Sequence, residues 1–231
     1  MAISWSATAA PAIQHVNFGS SSATFSTVAI GTASADRIVV VFVCSNNGYP
    51  SSMTIGGSAA TLVARSNATA DPSTAIFYLA VSSGTTADVV ATGSTVMQLC
   101  GIHVGILKGS ASTEDNSAVE PYAFTGNPHT LDSDPTVPSG GRGLFVVSGG
   151  GVDTMSTTSA TEDNQTVTTD GNGLSIMSGH ETSSGSWDFD WTGSNFSGSS
   201  GVGLGWGPAA TGNPKGPLNM PIEGPLGRVV V

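Results

Sequence analysis

Residues 37–45 have the sequence Arg-Ile-Val-Val-Val-Phe-Val-Cys-Ser, an apolar run composed mostly of β-branched side chains. The run shows little alternation between apolar and polar residues, which predicts a β-strand with both faces covered. Such a strand needs packed layers on either side of its sheet. We therefore interpret the rest of the chain as a layered β-structure built around this strand.

Shorter apolar runs, bounded by Gly, Ser, Asn and Asp, recur along the whole chain. Gly56-Gly57 predicts a tight hairpin turn, because glycine adopts the positive φ angles that such turns need. Gly101 and Gly105, inside another run, indicate bulges or points of close approach. No apolar stripe at helical spacing is present, so we predict an all-β fold, an antiparallel β-sandwich of jelly-roll type. The predicted strands cover residues 23–30, 37–45, 53–55, 59–64, 75–81, 88–92, 96–107, 129–137, 143–148, 173–180, 186–191 and 201–206.

The length of 231 residues accommodates one all-β domain or two small ones. We predict one β-sandwich domain over residues 1–206, with a long polar surface connection at 109–128 and a weakly patterned polar stretch at 149–170. An extended C-terminal arm follows at 207–231. The first residues lack the basic and apolar regions of a secretory signal, and no apolar run approaches the ~20 residues of a membrane span. We therefore expect no membrane partner.

The charge of the chain excludes several classes of protein. Charged residues form 10% of the chain and the formal net charge is −10, whereas ordinary soluble domains carry roughly 25% charged residues. A nucleic-acid-binding protein needs a basic surface that displaces counterions from phosphate. Six basic residues against 16 acidic ones cannot supply that surface, so we expect no nucleic-acid partner. A coiled coil is excluded because its Glu, Lys and Leu pattern is missing.

The two cysteines, Cys44 and Cys100, each lie within an apolar predicted strand. One interpretation is two buried, reduced thiols, since free cysteine packs as a small hydrophobic residue. The other is a single disulfide between strands, although a lone pair of cysteines is no disulfide framework. Both interpretations remain open at the level of sequence.

The residues that could carry catalysis do not form a motif. The four histidines, His15, His103, His129 and His180, lack the paired spacings of metal sites. No G-x-S-x-G sequence in a strand–turn–helix context is present. We predict that the chain is not an enzyme and needs no cofactor.

Three acidic clusters could offer oxygen ligands to Ca²⁺, although Asp and Asn are also common turn formers. Asp188 and Asp190 would share one face of a strand, which also raises the hypothesis of a paired-carboxylate glycosidase. Neighbouring acids on an outer strand face are also common without any such chemistry. None of the clusters matches an EF-hand loop. They are Asp132 with Asp134, Asp170 with Asn172, and Asp188 with Asp190.

Trp187, Phe189 and Trp191 alternate with the last of these acids and would share the other face of a strand. Aromatic faces can stack on sugar rings, so Trp187 and Trp191 are candidate glycan-binding residues of a lectin-like module with a host surface glycan as ligand. The alternative interpretation is that core packing uses these side chains.

Residues 207–231 contain five prolines. Proline cannot donate to a β-ladder, so this segment is expected to be extended or polyproline-like. Its apolar residues occur at intervals, as in an arm laid along a neighbouring subunit, and its terminal valines could add to a sheet edge. The predicted partner-binding residues are Leu218, Met220, Ile222, Leu226, Arg228, Val229, Val230 and Val231.

Four segments of the first half form a recognisable block. Gly31-Thr-Ala-Ser-Ala-Asp-Arg37 leads into the first long strand, and Met53-Thr-Ile-Gly-Gly-Ser-Ala-Ala-Thr-Leu-Val63 follows. Ile76–Val90 and Gly101–Gly109 complete it. The block, about residues 23–109, resembles a loosely defined group of β-rich structural proteins of tailed bacteriophages and related prophage elements.

The resemblance implies a non-enzymatic virion component, such as a head decoration protein, a head fibre or a tail-associated fibre. It implies assembly in the host cytoplasm into the virion. The partners would be other copies of the chain and neighbouring capsid or tail proteins. The resemblance does not extend to residues 110–231.

Overall fold

A computed structural model describes residues 3–8, 12–15, 20–66, 71–110, 116–120, 129–130, 135–151, 154–167, 173–187, 190–193 and 198–208. Of residues 12–15, 116–120, 129–130 and 190 it describes the backbone alone. These residues form twenty β-strands and no helix, which confirms the all-β prediction. In chain order the strands are β1 (Ser4–Ala7), β2 (Ala12–His15), β3 (Ser22–Ala29), β4 (Ile38–Ser45), β5 (Pro50–Ile55), β6 (Ser58–Ala59), β7 (Thr61–Arg65), β8 (Ser73–Ala80), β9 (Thr86–Gly93), β10 (Leu99–Lys108), β11 (Asn116–Glu120), β12 (His129–Thr130), β13 (Thr136–Val137), β14 (Arg142–Gly149), β15 (Met155–Thr157), β16 (Thr161–Val167), β17 (Ser175–Glu181), β18 (Gly185–Ser186), β19 (Asp190–Gly193) and β20 (Ser199–Trp206).

The strands form antiparallel sheets in four stacked layers. The first outer sheet has the order β3-β9-β5-β6, and the first inner sheet has the order β1-β10-β4-β8-β7, with β2 also paired to β10. The second inner sheet has the order β11-β20-β14-β17-β16. The second outer layer contains two small sheets, β12-β19-β15 and β13-β18. We call residues 3–108 the first unit and residues 116–206 the second unit.

Strand β4 lies in the middle of the first inner sheet, and all eight of its residues are buried. Val39 and Val41 pack in the core shared with the first outer sheet. Val40 and Phe42, on the opposite face, pack in the core shared with the second inner sheet. The prediction of a strand covered on both faces is confirmed, because successive side chains of a strand point to opposite faces.

The second inner sheet is also covered on both faces. Leu144 and Val146 of β14 pack towards the first inner sheet. Phe145 and Val147 of the same strand pack with Met155 in the core under the second outer layer. The described structure therefore contains three apolar cores where a single two-sheet sandwich would have one.

The positions of the two cysteines decide between a disulfide and free thiols. Cys44 lies directly opposite Gly101 in the β4–β10 ladder, so Cys100 is one residue out of register with it. Their side chains point to opposite faces of the sheet, into different cores, and cannot bridge without a change of backbone. Both are free thiols, and burial raises the pKa of Cys100 to about 12.

Two segments predicted to be irregular contain strands. Strand β11 occupies residues 116–120 within the predicted surface connection 109–128, and pairs with β20. Strands β15 and β16 occupy part of the polar stretch 149–170. Both β11 and β16 are edge strands of the second inner sheet. An edge strand with polar side chains has little apolar pattern, because pairing with its neighbour supplies most of its stability.

The glycine predictions are confirmed at Gly56-Gly57 and, as a close approach, at Gly105, whereas Gly101 lies in a regular part of the β4–β10 ladder without a bulge. Gly56 and Gly57 have φ angles of 57° and 80° in the β5–β6 turn. A Cβ atom at Gly105 would lie 1.9 Å from Cη2 of Trp5, so the indole of the edge strand β1 packs directly on this glycine.

The predicted arm begins where the described structure ends. Trp206 closes β20, and Pro208 forms an isolated bridge with Ser110. Residues 209–231 lie outside the described residues, and so do all of the predicted partner-binding positions from Leu218 to Val231.

Candidate functional site

A cleft of about 460 Å³ opens at one end of the first unit, between the β5–β6 turn and the β8–β9 connection. Its lining carries no charged side chain. The apolar floor and the hydroxyl-bearing rim suit a small neutral molecule better than an ion. The floor includes Ile30, Ile55 and Leu79, and the rim includes Ser58, Ser82 and Thr86.

The guanidinium of Arg37 holds the rim of this cleft. Arg37 is 1% exposed, and its Nε donates to the carbonyl of Val81 at 2.6 Å. Its remaining hydrogen bonds also go to main-chain oxygens, so the donors are used within the protein. Burial lowers the pKa of Arg37. The further acceptors are the carbonyls of Ile30, Gly31 and Gly84 for Nη1 and of Ser83 for Nη2.

Polar side chains also meet between the two inner sheets. His103 of β10 is fully buried, and its Nδ1 lies 2.8 Å from Oγ of Ser178 in β17. Its Nε2 lies 3.2 Å from Oγ1 of Thr166 in β16. Burial lowers the pKa of His103 to about 3, so its imidazole is neutral at physiological pH.

A second polar contact lies at the β1 edge of the same interface. Nε1 of Trp5 donates to Oδ2 of Asp163 at 2.7 Å. Nδ1 of His180 lies 2.9 Å from Oδ1 of the same carboxylate. Asp163 therefore links an indole of the first unit to an imidazole of the second.

The Asp163–His180 pair has the acid and base of a catalytic triad. Among the described residues, however, no hydroxyl or thiol is hydrogen-bonded to Nε2 of His180. A triad needs its nucleophile hydrogen-bonded to the ring nitrogen that faces away from the acid. The contacts that this cluster makes are those of a structural link between the sheets.

Trp187 and Trp191 are 5% and 1% exposed, so neither presents an aromatic face to solvent. Both pack in the core of the second unit, with the ring of Trp187 5.8 Å from that of Phe145. Nε1 of Trp187 donates to the carbonyl of Ser159. The glycan-binding prediction for these two residues therefore loses its basis, and the core-packing interpretation describes them. The predicted strand 186–191 overlaps two short strands, β18 and β19, which pair with different partners: β18 pairs with β13, and β19 pairs with β12 and β15.

The candidate calcium ligands Asp132, Asp134, Asp170, Asn172 and Asp188 lie outside the described residues, and of Asp190 only the backbone is described. Within the described residues, no three His, Cys, Asp or Glu side chains form a group that could hold a metal ion. The same part of the chain has no helix long and apolar enough to cross a membrane.

Sequence inspection missed the structural roles of Arg37 and Asp163. A single cation at the entrance to an apolar strand is a signal for a buried guanidinium that binds carbonyl groups. Asp163 offers no comparable signal, because its partners are remote in the chain.

Comparisons of this chain with protein-family models, with curated protein sequences and with solved structures found no match.

Proposed function

We propose that this chain is a non-enzymatic structural protein of a bacteriophage virion. It decorates or stabilises the capsid, or forms a fibre or a host-contacting appendage, and its C-terminal arm anchors it. Its partners are further copies of itself and neighbouring capsid or tail proteins. It assembles in the host cytoplasm.

The strand order supports a jelly roll, an architecture common in capsid proteins. A jelly roll of eight strands pairs strand 1 with 8, 2 with 7, 3 with 6 and 4 with 5, as in a long hairpin rolled into two sheets. When the bent segment β6–β7 is counted as one strand and β2 is left aside, the first unit has eight strands. The corresponding pairs are β1–β10, β3–β9, β4–β8 and β5–β6.

The observation that carries the anchoring role is the strand from which the arm departs. β20 is hydrogen-bonded to β11 on one side and to β14 on the other. Trp206, at its end, is fully buried, and its ring meets that of Tyr78 in the first unit at 5.1 Å. A load on the arm would act along two ladders at once and on both units. A central strand therefore suits an attachment point better than an edge strand does.

The surface of the two units is also consistent with anchoring through the arm. Among the described residues, the exposed large hydrophobic side chains are Leu62 and Val96, and they are 38% and 42% exposed. Scattered exposed residues of this kind do not form a docking surface. The arm contains Leu218, Met220 and Ile222, apolar side chains of the kind that a contact with a neighbouring subunit needs.

The test is incorporation into particles made by the genome that encodes the chain. Intact protein is expected to copurify with particles at a fixed copy number. A variant truncated after Pro208, which keeps β20, is expected to fold and to be lost from the particles. The matched control is a full-length chain with Leu218, Met220, Ile222 and Leu226 changed to serine, which keeps the arm's length and should also be lost.

The outcomes separate the two parts of the proposal. Absence of the intact protein from particles would overturn the virion role. Undiminished incorporation of the truncated, folded variant would overturn the anchoring role and leave the virion role standing.

A further inference from the structure

The two units route the chain through their layers in the same order. In the first unit the strands alternate between layers as β1 inner, β3 outer, β4 inner, β5 outer, β7 and β8 inner, β9 outer and β10 inner. In the second unit the order is β11 inner, β12 and β13 outer, β14 inner, β15 outer, β16 and β17 inner, β18 and β19 outer and β20 inner. Apart from β2, which has no counterpart among the described strands of the second unit, the inner sheets then match strand for strand, β1-β10-β4-β8-β7 with β11-β20-β14-β17-β16.

A bulge occurs at the same place in both inner sheets. The β7–β8 register shifts between Leu62 and Ala64. The corresponding β16–β17 register shifts between Glu162 and Asn164. In both cases the shift follows the second residue of the edge strand. Bulges are specific local features of a strand rather than general properties of a sheet, so their agreement goes beyond a shared topology.

Short stretches of sequence agree at equivalent positions as well. Ser-Ser-Gly follows β8 at 82–84 and follows β17 at 183–185, and the glycines have φ angles of 72° and 122°. Met53 in β5 and Met155 in β15 are both buried in the core of their own unit.

The two inner sheets face each other with reversed strand order. Strand β4 packs against β14, while β10 packs against β17 and β7 packs against β11. Equivalent strands therefore exchange places across the interface, which is the arrangement of two subunits in a twofold dimer.

We propose that residues 3–108 and 116–206 are two copies of one structural unit, packed like the subunits of a symmetric dimer, and that His103 makes each unit pair with the other rather than with a copy of itself.

The registers of the ladders identify the equivalent residues. His103 and Ile76 flank one residue of β4, and Val202 and Ser178 flank the corresponding residue of β14. His103 is thus equivalent to Val202, and Ser178 is equivalent to Ile76. The interface pairs His103 with Ser178 on one side of the pseudo-twofold axis and places the apolar Val202 and Ile76 in the same core.

Pairing of like units would separate these partners. Two copies of the first unit would place Nδ1 of His103 against Ile76, and two copies of the second would place the hydroxyl of Ser178 against Val202. A polar group buried without a partner is costly, so both arrangements are disfavoured. Thr74 and Ser200, whose hydroxyls lie 3.2 Å apart across the interface, would be separated in the same way.

The first test is a double-mutant cycle in the full-length protein, followed by urea unfolding. His103→Val and Ser178→Ile are each expected to lower the urea midpoint. The double variant has Val at position 103 and Ile at position 178, the residue types of the equivalent pair Val202 and Ile76. Its midpoint is expected to lie above that of either single variant. The matched control combines His103→Val with Ser148→Ala. Ser148 is a buried serine of the second inner sheet, like Ser178, but its hydroxyl contacts Ser200 instead of His103. The midpoint of this control is expected to fall by the sum of the two single losses.

The second test is a circular permutant that exchanges the order of the units. Ser4 lies opposite Lys108, Asn116 lies opposite Gly205, and Ser110 bridges to Pro208, so the ends of both units are adjacent. Opening the chain between Ser110 and Asn116 and joining Val231 to Met1 keeps every residue. This permutant is expected to fold with a urea midpoint close to that of the wild type. A permutant opened between β4 and β5, inside the first unit, is the control and is expected to be much less stable.

Either result can overturn the proposal. A double variant whose midpoint falls by the sum of the single losses or more would remove the role of His103 in pairing. Equal damage from the two permutants, or loss of folding in the first alone, would remove the division into two equivalent units.

Discussion

The two units share a strand order but fill their cores in different ways. In the first unit, the inner sheet contributes large apolar side chains to the core beneath the outer sheet. In the second unit, glycines occupy the corresponding positions, and other groups approach them closely: a Cβ atom at Gly179 would lie 2.6 Å from the ring of Phe145, and one at Gly205 would lie 2.0 Å from the carbonyl oxygen of Thr136. The first set is Phe77, Ile102, Val104 and Ile106, and the equivalent set is Gly179, Gly201, Gly203 and Gly205.

A tryptophan packs closely on a further glycine of this sheet, Gly143. A Cβ atom at Gly143 would lie 2.8 Å from the ring of Trp187, which shows how closely the indole packs on the sheet. Trp191 fills the same core and is 1% exposed. One topology therefore accepts either apolar side chains at these inner-sheet positions or glycines that neighbouring groups approach closely, because close packing constrains total volume more than residue identity.

The connection that follows β8 in the first unit and the equivalent connection that follows β17 in the second are held by groups of opposite charge. In the first unit, the Arg37 guanidinium donates to the carbonyls of Val81, Ser83 and Gly84. In the second, the Glu181 carboxylate accepts hydrogen bonds from the amides of Thr182 and Ser183 at 2.5 Å each. The same Ser-Ser-Gly turn is thus tied down by a cation in one unit and by an anion in the other.

The largest expected effect comes from adding a side chain at Gly205, the glycine of the second core that is equivalent to Ile106 in the first. A Cβ atom in Gly205→Ala would lie 2.0 Å from the carbonyl oxygen of Thr136, a main-chain atom that cannot move aside cheaply. We expect the free energy of unfolding to fall by about 3 kcal/mol, measured by urea unfolding. The matched change in the first unit, Ile106→Val, should cost about 1 kcal/mol. Equal losses at the two sites would contradict the contrast between the cores.

Removal of the buried cation should have the next largest effect. Arg37→Met leaves several main-chain carbonyls without their donor, and we expect the free energy of unfolding to fall by about 2 kcal/mol. Arg65→Met is the control, because Arg65 stacks over the ring of Tyr49 at 4.1 Å and lies closer to solvent. Its loss should be about 0.5 kcal/mol. Thermal unfolding of both variants measures the difference, and similar melting temperatures would argue against the role assigned to Arg37.

The pH dependence of stability should report the asymmetry of the inner interface. The pKa of His103 is about 3 in the folded protein and about 6.5 in an unfolded chain. Between these values the unfolded state binds the extra proton, so stability falls as the pH drops below about 6.5. The slope contributed by His103 approaches about 1.4 kcal/mol for each pH unit. In the His103→Val/Ser178→Ile variant this contribution should vanish. Parallel pH profiles for the two proteins between pH 4 and 6 would contradict a buried neutral imidazole.

The smallest expected effect concerns the thiols. Cys44 and Cys100 are fully buried, on opposite faces of one sheet. An aromatic disulfide reagent should modify neither in the native protein and both in denaturant. Oxidising conditions should leave the urea midpoint unchanged, because no disulfide can form. Rapid labelling of either thiol under native conditions would show that the inner sheet opens more readily than its burial implies.

The fold class and the central strand could be predicted because burial on both faces leaves a continuous β-branched run. The hairpin at Gly56-Gly57 and the close approach at Gly105 followed from the conformational freedom and small size of glycine. The second unit was harder to interpret, because its core uses glycine and its edge strands are polar. In β20, for example, glycine occupies every second position from 201 to 205, so one face of the strand has no apolar side chains to form an alternating pattern.

Local sequence accounts for which segments of this chain become strands and which turns join them, since these depend on neighbours a few residues away. Long-range packing accounts for the rest: the pairing of unlike units, the burial of Trp187 and Trp191, and the separation of Cys44 and Cys100. An indole on a strand has the same local sequence whether its face meets solvent or a glycine from another sheet. That difference lies in contacts between residues far apart in the chain, which only the folded arrangement of the layers creates.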